Sequence, residues 1–176
     1  VNNTIAGYAQ KGPFLNGSSI TVYELSSNYS QTGKTFLTQI ANNTGRFNLS
    51  NINLLSNYVQ IKADGFYFNE VCGSNSIAPL TLNCIADIGN SNSIHVNVLT
   101  HLEKPRVEFL LGSGMSFDSA KIKAQREVLA IFNISLVGID NSEYLDISQS
   151  GDGNAILLGV SAILQGFRSE SELSSL

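Results

Sequence analysis

The sequence predicts an α+β chain in which an antiparallel β-sandwich over residues 1–97 is followed by a helical domain over residues 98–176. In the first part, short runs of β-branched and aromatic residues recur every eight to twelve residues, with Gly, Asn and Ser between them. This spacing is typical of antiparallel sandwiches. After residue 97 the apolar residues recur at helical spacing instead.

The central strand is predicted over residues 58–63, where Val59, Ile61 and Ala63 alternate with polar neighbours and define one buried face. Turn residues that tolerate positive φ precede it at 43–45 and follow it with Asp64-Gly65. The complete set of predicted strands is 4–10, 19–25, 35–41, 46–49, 58–63, 66–72, 80–86 and 93–98.

The first predicted helix begins at Thr100, because Thr100 and Glu103 have the spacing of a capping box. Pro105 follows in or just after the first turn, so the start is expected there or slightly later. Ser116 is the predicted cap of a second helix, on which Lys121 is assigned to the solvated face.

A third helix, over residues 155–164, is apolar nearly all round and is therefore expected to be buried, with Asp152 or Asn154 as its cap. Ser169 and Glu172 then form a second capping box, which opens a last helix of barely two turns. Because so short a helix is marginal alone, we expect the chain to be a fragment that ends within its helical domain.

Composition excludes some classes of protein. With 43% hydrophobic and 14% charged residues the chain is expected to fold. Its net charge is −4 and its ten Lys and Arg residues are scattered, which argues against nucleic acid as a partner. No apolar run reaches the roughly 20 residues of a membrane-spanning helix. Low charge with much Asn, Ser and Thr suits an extracellular surface.

The two cysteines, Cys72 and Cys84, lie on neighbouring predicted strands. Their small even number and proximity suggest a disulfide bond. The alternative is a pair of buried thiols that pack as small hydrophobic groups. A metal site is disfavoured, since no other Cys or His is close by in sequence.

A calcium-type loop is imitated by oxygen-bearing side chains that alternate along residues 146–152. The candidate ligands are Asp146, Ser148, Ser150 and Asp152. The twelfth residue of the loop is Leu157, where such loops need a bidentate Glu. The alternative, which the sequence favours, is a polar turn in which Asp152 caps the following helix. No cofactor is predicted.

Catalysis is not predicted, because neither His95 nor His101 belongs to a recognisable nucleophile motif. The candidate ligand contacts are aromatic: Tyr67, Tyr29 and Tyr8 would form a stacking surface for a sugar or a protein partner. The alternative is that these rings belong to the core or to pairs across strands.

A family resemblance appears once the strands are placed. The segments 5–14 and 17–22, the turn Thr44-Gly45-Arg46-Phe47, and Ala63-Asp64-Gly65-Phe66 resemble a carboxypeptidase regulatory-like (prealbumin-like) β-sandwich. The resemblance covers about the first 70 residues and implies a module that is generally non-catalytic.

Over nearly the whole chain, the segments 10–14, 68–71, 99–102 and 153–158 are similar to the N-terminal region of uncharacterised bacterial surface lipoproteins. This similarity implies export to the bacterial cell surface, outer membrane or periplasm, with a lipidated Cys upstream of Val1 as the only membrane attachment. It supplies no catalytic residues.

Together these observations predict a non-enzymatic structural or binding module at the cell surface, whose partner is a glycan or another surface protein. The alternative is an accessory domain of a larger exported hydrolase, with the catalytic part beyond residue 176. The sequence leaves the oligomeric state open.

Overall fold

The structure, a computed structural model, describes residues 2–89, 91–135, 138–166 and 168–175. This part of the chain has a mixed α+β fold. Its strands are β1 (Asn2–Gln10), β2 (Ser19–Leu25), β3 (Gln31–Gln39), β4 (Arg46–Asn53), β5 (Tyr58–Gly65), β6 (Phe68–Asn69), β7 (Ser74–Asn75), β8 (Leu80–Asp87) and β9 (Val96–Asn97). Its α-helices are α1 (Val98–Gly112), α2 (Phe117–Ile131), α3 (Asp152–Gln165) and α4 (Glu170–Leu173), and a 3-10 helix spans Ser142–Tyr144.

The strands form two larger sheets and one small pair. The four-stranded sheet has the order β3-β2-β5-β8 and is antiparallel throughout. In the three-stranded sheet β1 lies in the middle, antiparallel to β4 and parallel to β9. The alternation predicted for β5 is confirmed, since Val59, Ile61 and Ala63 are fully buried.

One apolar cluster contains buried residues from both larger sheets and from all four α-helices of the described chain. Ile5 of β1 and Ile61 of β5 belong to it, and so do Leu99, Val128 and Leu157 of the first three helices. Residues before and after position 97 therefore share one core. No helix in the described ranges is both long and apolar enough to cross a bilayer.

Two predicted strands are shorter in the structure. The strand predicted over 66–72 is limited to Phe68–Asn69, with an isolated bridge between Tyr67 and Phe14 before it. The chain then turns, and the amide of Gly73 donates to the carbonyl of Asn69 at 2.8 Å. The strand predicted over 93–98 is limited to Val96–Asn97, since Val98 already belongs to α1.

Helix α1 begins earlier than predicted. Its capping box is formed by Asn97 and Thr100, not by Thr100 and Glu103. The Oδ1 atom of Asn97 accepts from the Thr100 amide at 3.0 Å, and the Thr100 hydroxyl accepts from the Asn97 amide at 3.0 Å. Pro105 consequently lies inside the helix and not at its start.

Glu103 instead belongs to what we call the buried ion cluster, formed by Glu103, Lys121 and Glu143. Lys121 is only 2% exposed, so its assignment to a solvated face is wrong. Its Nζ atom lies 2.9 Å from Oε2 of Glu143 and 3.4 Å from Oε2 of Glu103. The Ser142 hydroxyl donates to Oε1 of Glu103. These contacts join α1, α2 and the 3-10 helix in the interior.

Burial and charge act against each other in this cluster. Burial raises the pKa of Glu103 to about 7, although Lys121 and Ser142 oppose the shift. Burial alone would lower the pKa of Lys121, but the carboxylates of Glu143 and Glu103 raise it overall. One cation thus faces two carboxyl groups, and the Glu103 carboxyl retains a proton at a higher pH than usual.

Helix α3 is buried on one face only. Leu157 and Val160 pack in the core, whereas Leu158 and Ile163 are 41% and 60% exposed. The expectation that this helix is buried all round is therefore wrong for the described chain. The pattern of apolar residues predicts a helix here, but it does not show how many faces of that helix pack against other parts of the protein.

The predicted N-cap of α3 is wrong, whereas the predicted N-cap of α4 is confirmed. Gly151, with φ of 126°, is the N-cap of α3, so neither Asp152 nor Asn154 caps it. The Asn154 side chain instead donates to the carbonyl of Ser150 at 2.9 Å. The capping box of Ser169 before α4 is confirmed, with Glu172 as its partner.

Replacing Lys121 by Ala leaves two carboxyl groups buried without a cation, so we expect the free energy of unfolding to fall by about 3–5 kcal/mol. Chemical denaturation followed by circular dichroism measures it. Lys123→Ala is the matched control, because Lys123 is exposed on the same helix, and it is expected to change stability by no more than about 0.5 kcal/mol. Equal effects of the two substitutions would show that the cluster contributes no stability.

Removing the titrating carboxyl with Glu103→Gln should change how stability depends on pH. Between pH 4.5 and 7, native Glu103 holds a proton that the unfolded chain has released. Stability therefore falls as pH rises through that window, and this contribution is absent in the variant. Urea unfolding at several pH values compares the slopes. Glu108→Gln, at a more exposed site on α1, should retain the wild-type slope, and an unchanged slope in Glu103→Gln would refute the assignment.

Candidate functional site

A surface groove of about 770 Å³ lies where β1, the loop before β4, β6 and the loop after the 3-10 helix meet. We call it the Tyr8 groove. Its lining includes Tyr8, Asn42, Asn43, Arg46, Phe68 and Glu70. A volume of this size is typical of sites for small ligands.

Strand pairing places Tyr8 beside Arg46. The two residues are directly opposite on the antiparallel strands β1 and β4, so their side chains share one face of the sheet. Gly45 allows the loop to approach β1: its φ is +76°, and a Cβ atom there would lie 2.5 Å from the carbonyl oxygen of Ala9. The Ala9 amide also donates to the carbonyl of Gly45 at 2.9 Å.

Phe68 is positioned by the close approach of its backbone to Gly12. A Cβ atom at Gly12 would lie 2.2 Å from the carbonyl oxygen of Phe68, so only glycine fits beside this strand. The Phe68 amide donates to the carbonyl of Pro13 at 2.9 Å. The ring of Phe68 remains 37% exposed in the groove.

The opposite wall is tied to β1 through Gln10 and Asp146. The Gln10 amide group donates to Oδ1 of Asp146 at 2.7 Å, and the amide of Ile147 donates to Oε1 of Gln10 at 3.2 Å. Burial alone would raise the pKa of Asp146, but the hydrogen bonds from Gln10 and Ser148 lower it overall. An ionised Asp146 thus fixes Ile147 and Ser148 at the groove.

The same contacts account for the side chains that were considered as calcium ligands. Oδ1 of Asp146 already accepts from Gln10 and from the amide and hydroxyl of Ser148, while Ser150 and Asp152 are exposed. Within the described ranges no three His, Cys, Asp or Glu side chains are grouped to hold a metal ion. Protein groups hold the loop as a polar turn, the alternative that the sequence favours, and calcium binding there stays an untested second possibility.

His95 supports Tyr8 from beneath. It is 9% exposed, so its assignment to the strand surface is wrong. Its Nδ1 atom accepts from the Tyr8 amide at 3.1 Å, and the two rings are 5.4 Å apart. Burial lowers the pKa of His95, although Asp146 opposes the shift. A neutral imidazole, with its proton on Nε2, satisfies this geometry.

The carboxyl group of Glu70 is held by Lys11 behind the groove surface. Lys11 is fully buried, and its Nζ atom donates to Oε1 of Glu70 at 2.5 Å. The Ser161 hydroxyl donates to the same oxygen at 2.6 Å. Burial lowers the pKa of Lys11, and Glu70 opposes this. Oε2 of Glu70 is buried and has no hydrogen-bond partner in the described chain.

The three aromatic residues predicted to contact a ligand do not form one surface. Tyr8 lines the groove. Tyr67 is fully buried and its hydroxyl donates to Oε1 of Gln165 at 3.2 Å, so the expectation that it contacts a ligand is corrected. Tyr29 lies elsewhere, with its ring 4.9 Å from Tyr58 and 5.9 Å from Phe117. For these two the alternative of core and strand packing describes their surroundings.

The cysteines are free thiols in the structure, and the predicted disulfide between them is not formed. Cys72 is exposed in the turn after β6, whereas Cys84 is fully buried in β8. Burial raises the pKa of Cys84. A strand side chain that points into the core cannot meet one that points to solvent without a rearrangement of the backbone.

The sequence did not identify Arg46, Asn42 and Asn43 as site residues. Asn43 was assigned to the turn at 43–45, Arg46 was assigned to the start of the strand predicted over 46–49, and Asn42 was given no role. A local pattern cannot show that Arg46 is paired with Tyr8, because that requires the register between two strands. Chemically, the groove offers aromatic faces and hydrogen-bonding groups, an arrangement suited to binding.

Comparison with protein-family models, with curated proteins and with solved structures found no match. The function of the groove is therefore inferred from its own geometry.

Selective alkylation tests the state of the cysteines. In the native protein we expect iodoacetamide to label Cys72 alone, because Cys84 is buried and its pKa is raised. After unfolding without reductant both thiols should be labelled, and intact-mass spectrometry counts the added groups. Failure to label either residue in the unfolded, unreduced chain would show that the disulfide exists.

Proposed function

We propose that this chain is a non-enzymatic binding module of an exported bacterial surface lipoprotein, and that the Tyr8 groove binds a glycan. The proposal combines the family resemblance of the sequence with the chemistry of the groove. It includes a prealbumin-like sandwich as the scaffold and a lipid anchor upstream of Val1. The observation that carries it is the pair of aromatic residues, Tyr8 and Phe68, at a concave site with polar side chains around them.

Sugar rings combine an apolar face of C–H groups with hydroxyl groups at the edge. An aromatic ring packs against the apolar face, while side-chain amides and charged groups bind the hydroxyls. The Tyr8 groove has both kinds of group. Tyr8 and Phe68 are each partly exposed, and Asn42, Asn43 and Arg46 are exposed along the same groove.

The groove is built on a supported framework, which favours recognition without much reorganisation. His95 accepts a hydrogen bond from the amide of Tyr8. Gly12 lies directly against the backbone of Phe68. Because these contacts fix the backbone of both aromatic residues, little backbone conformational entropy is lost when a ligand binds.

Binding to a glycan array, followed by titration calorimetry of the glycans that bind, tests this function. We expect saturable binding that Tyr8→Ala and Phe68→Ala each weaken about tenfold, since stacking contributes roughly 1–2 kcal/mol. Phe109→Ala is the matched control, because Phe109 is an exposed aromatic residue on α1 outside the groove.

Circular dichroism must show that the variants are folded for the comparison to hold. If the folded wild-type protein binds no glycan, or if Phe109→Ala weakens binding as much as Phe68→Ala, the proposed function is wrong.

A further inference from the structure

We infer that the ligand of the Tyr8 groove is an acidic saccharide, whose carboxylate is bound by Arg46 and by the side-chain amides of Asn42 and Asn43. This inference rests on the proposed function and specifies its ligand. It depends on which polar atoms of the groove are already used by the protein and which are left for a ligand.

The oxygen atoms of the two Asn side chains are used within the protein. Oδ1 of Asn42 accepts from the amide of Thr44 at 3.0 Å and from its hydroxyl. Oδ1 of Asn43 accepts from the amide of Asn16 at 2.9 Å. Because a backbone N–H needs an acceptor, these bonds also fix which end of each side chain is oxygen.

The nitrogen atoms of the same side chains are left as donors. Neither Nδ2 atom has a hydrogen-bond partner among the described residues, and both residues are exposed at the groove. Arg46 is also exposed and forms no ion pair within the part of the chain that the structure describes. The groove therefore presents five guanidinium N–H groups and two NH₂ groups.

The side-chain oxygens of Gln10 and Glu70 at the groove are satisfied or shielded. Gln10 uses its oxygen for the amide of Ile147. Oε1 of Glu70 accepts from Lys11 and Ser161, and Oε2 is buried away from the surface. Lys11 also offsets the negative charge of Glu70. A site rich in donors with one unpaired cation matches a ligand rich in acceptors with one negative charge.

A carboxylate fits these donors, because a planar guanidinium binds it through two parallel hydrogen bonds. Tyr8 lies opposite Arg46 across the two strands, so a sugar ring that packs on the aromatic face can carry its carboxylate to the guanidinium. The whole chain is acidic, with a net charge of −4. Selectivity for an acidic ligand must therefore come from these local donors and not from the overall charge.

Two matched ligands test the inference: trigalacturonic acid and its methyl ester, which has the same rings without the charges. By titration calorimetry at low salt we expect the acid to bind about five- to tenfold more tightly than the ester. This preference should disappear in Arg46→Gln and remain in Arg126→Gln, whose exposed arginine lies on α2. It should also decrease as salt is raised.

The outcomes separate this inference from the proposed function. If acid and ester bind equally well to the wild-type protein and Phe68→Ala weakens both, the groove binds sugars but the acidic ligand is wrong. If the preference for acid persists in Arg46→Gln, the assignment of Arg46 is wrong. If neither compound binds to the wild-type protein, the acidic ligand is wrong, and if the glycan array is also negative, the proposed function is wrong too.

Discussion

The buried charge of Lys121 constrains the arrangement of the helices around it. An ammonium group in the interior needs acidic partners at contact distance, and Glu143 of the 3-10 helix and Glu103 of α1 supply them. Hydrogen bonds connect the buried ion cluster to the three-stranded sheet. The amide of His95 donates to the carbonyl of Glu143, and the Asn97 side chain donates to the carbonyl of Ser142. The strand β9, which pairs with β1 and leads into α1, is thereby fixed against the 3-10 helix.

The groove depends on this arrangement because its floor belongs to the same strands. His95, whose amide is bonded to the buried ion cluster, accepts from the amide of Tyr8 through its ring. Gln10, two residues further along β1, is bonded to Asp146 and Ile147. Interior polar groups thus bind one another and position the surface groups. At the rim, the side-chain nitrogens of Asn42 and Asn43 have no partner among the described residues, and a ligand is free to meet them.

Local patterns in the sequence predicted the parts of the fold that local physics determines. The alternation in β2 and β5, the turn glycines and the capping box of Ser169 all depend on residues within a few positions. The burial of Lys121 could not be predicted in this way, because its partner Glu103 is 18 residues away and an isolated lysine on a helix is usually solvated. The pairing of Tyr8 with Arg46 also depends on strand register, which no single segment encodes.

The position of β1 in the middle of its sheet has a consequence for the order of folding. Its partners come from much later in the chain: the amide of Tyr8 donates to His95, and the side chain of Gln10 donates to Asp146. Just after the strand, the carbonyl of Lys11 lies within hydrogen-bond distance of Oγ of Ser161 in α3. Such distant contacts carry a large loop-closure entropy and tend to form late. The polar surroundings of β1 are therefore complete only once α3 is in place. The lining of the groove runs from Tyr8 to Ser148, so the site exists only when segments far apart in the chain have come together.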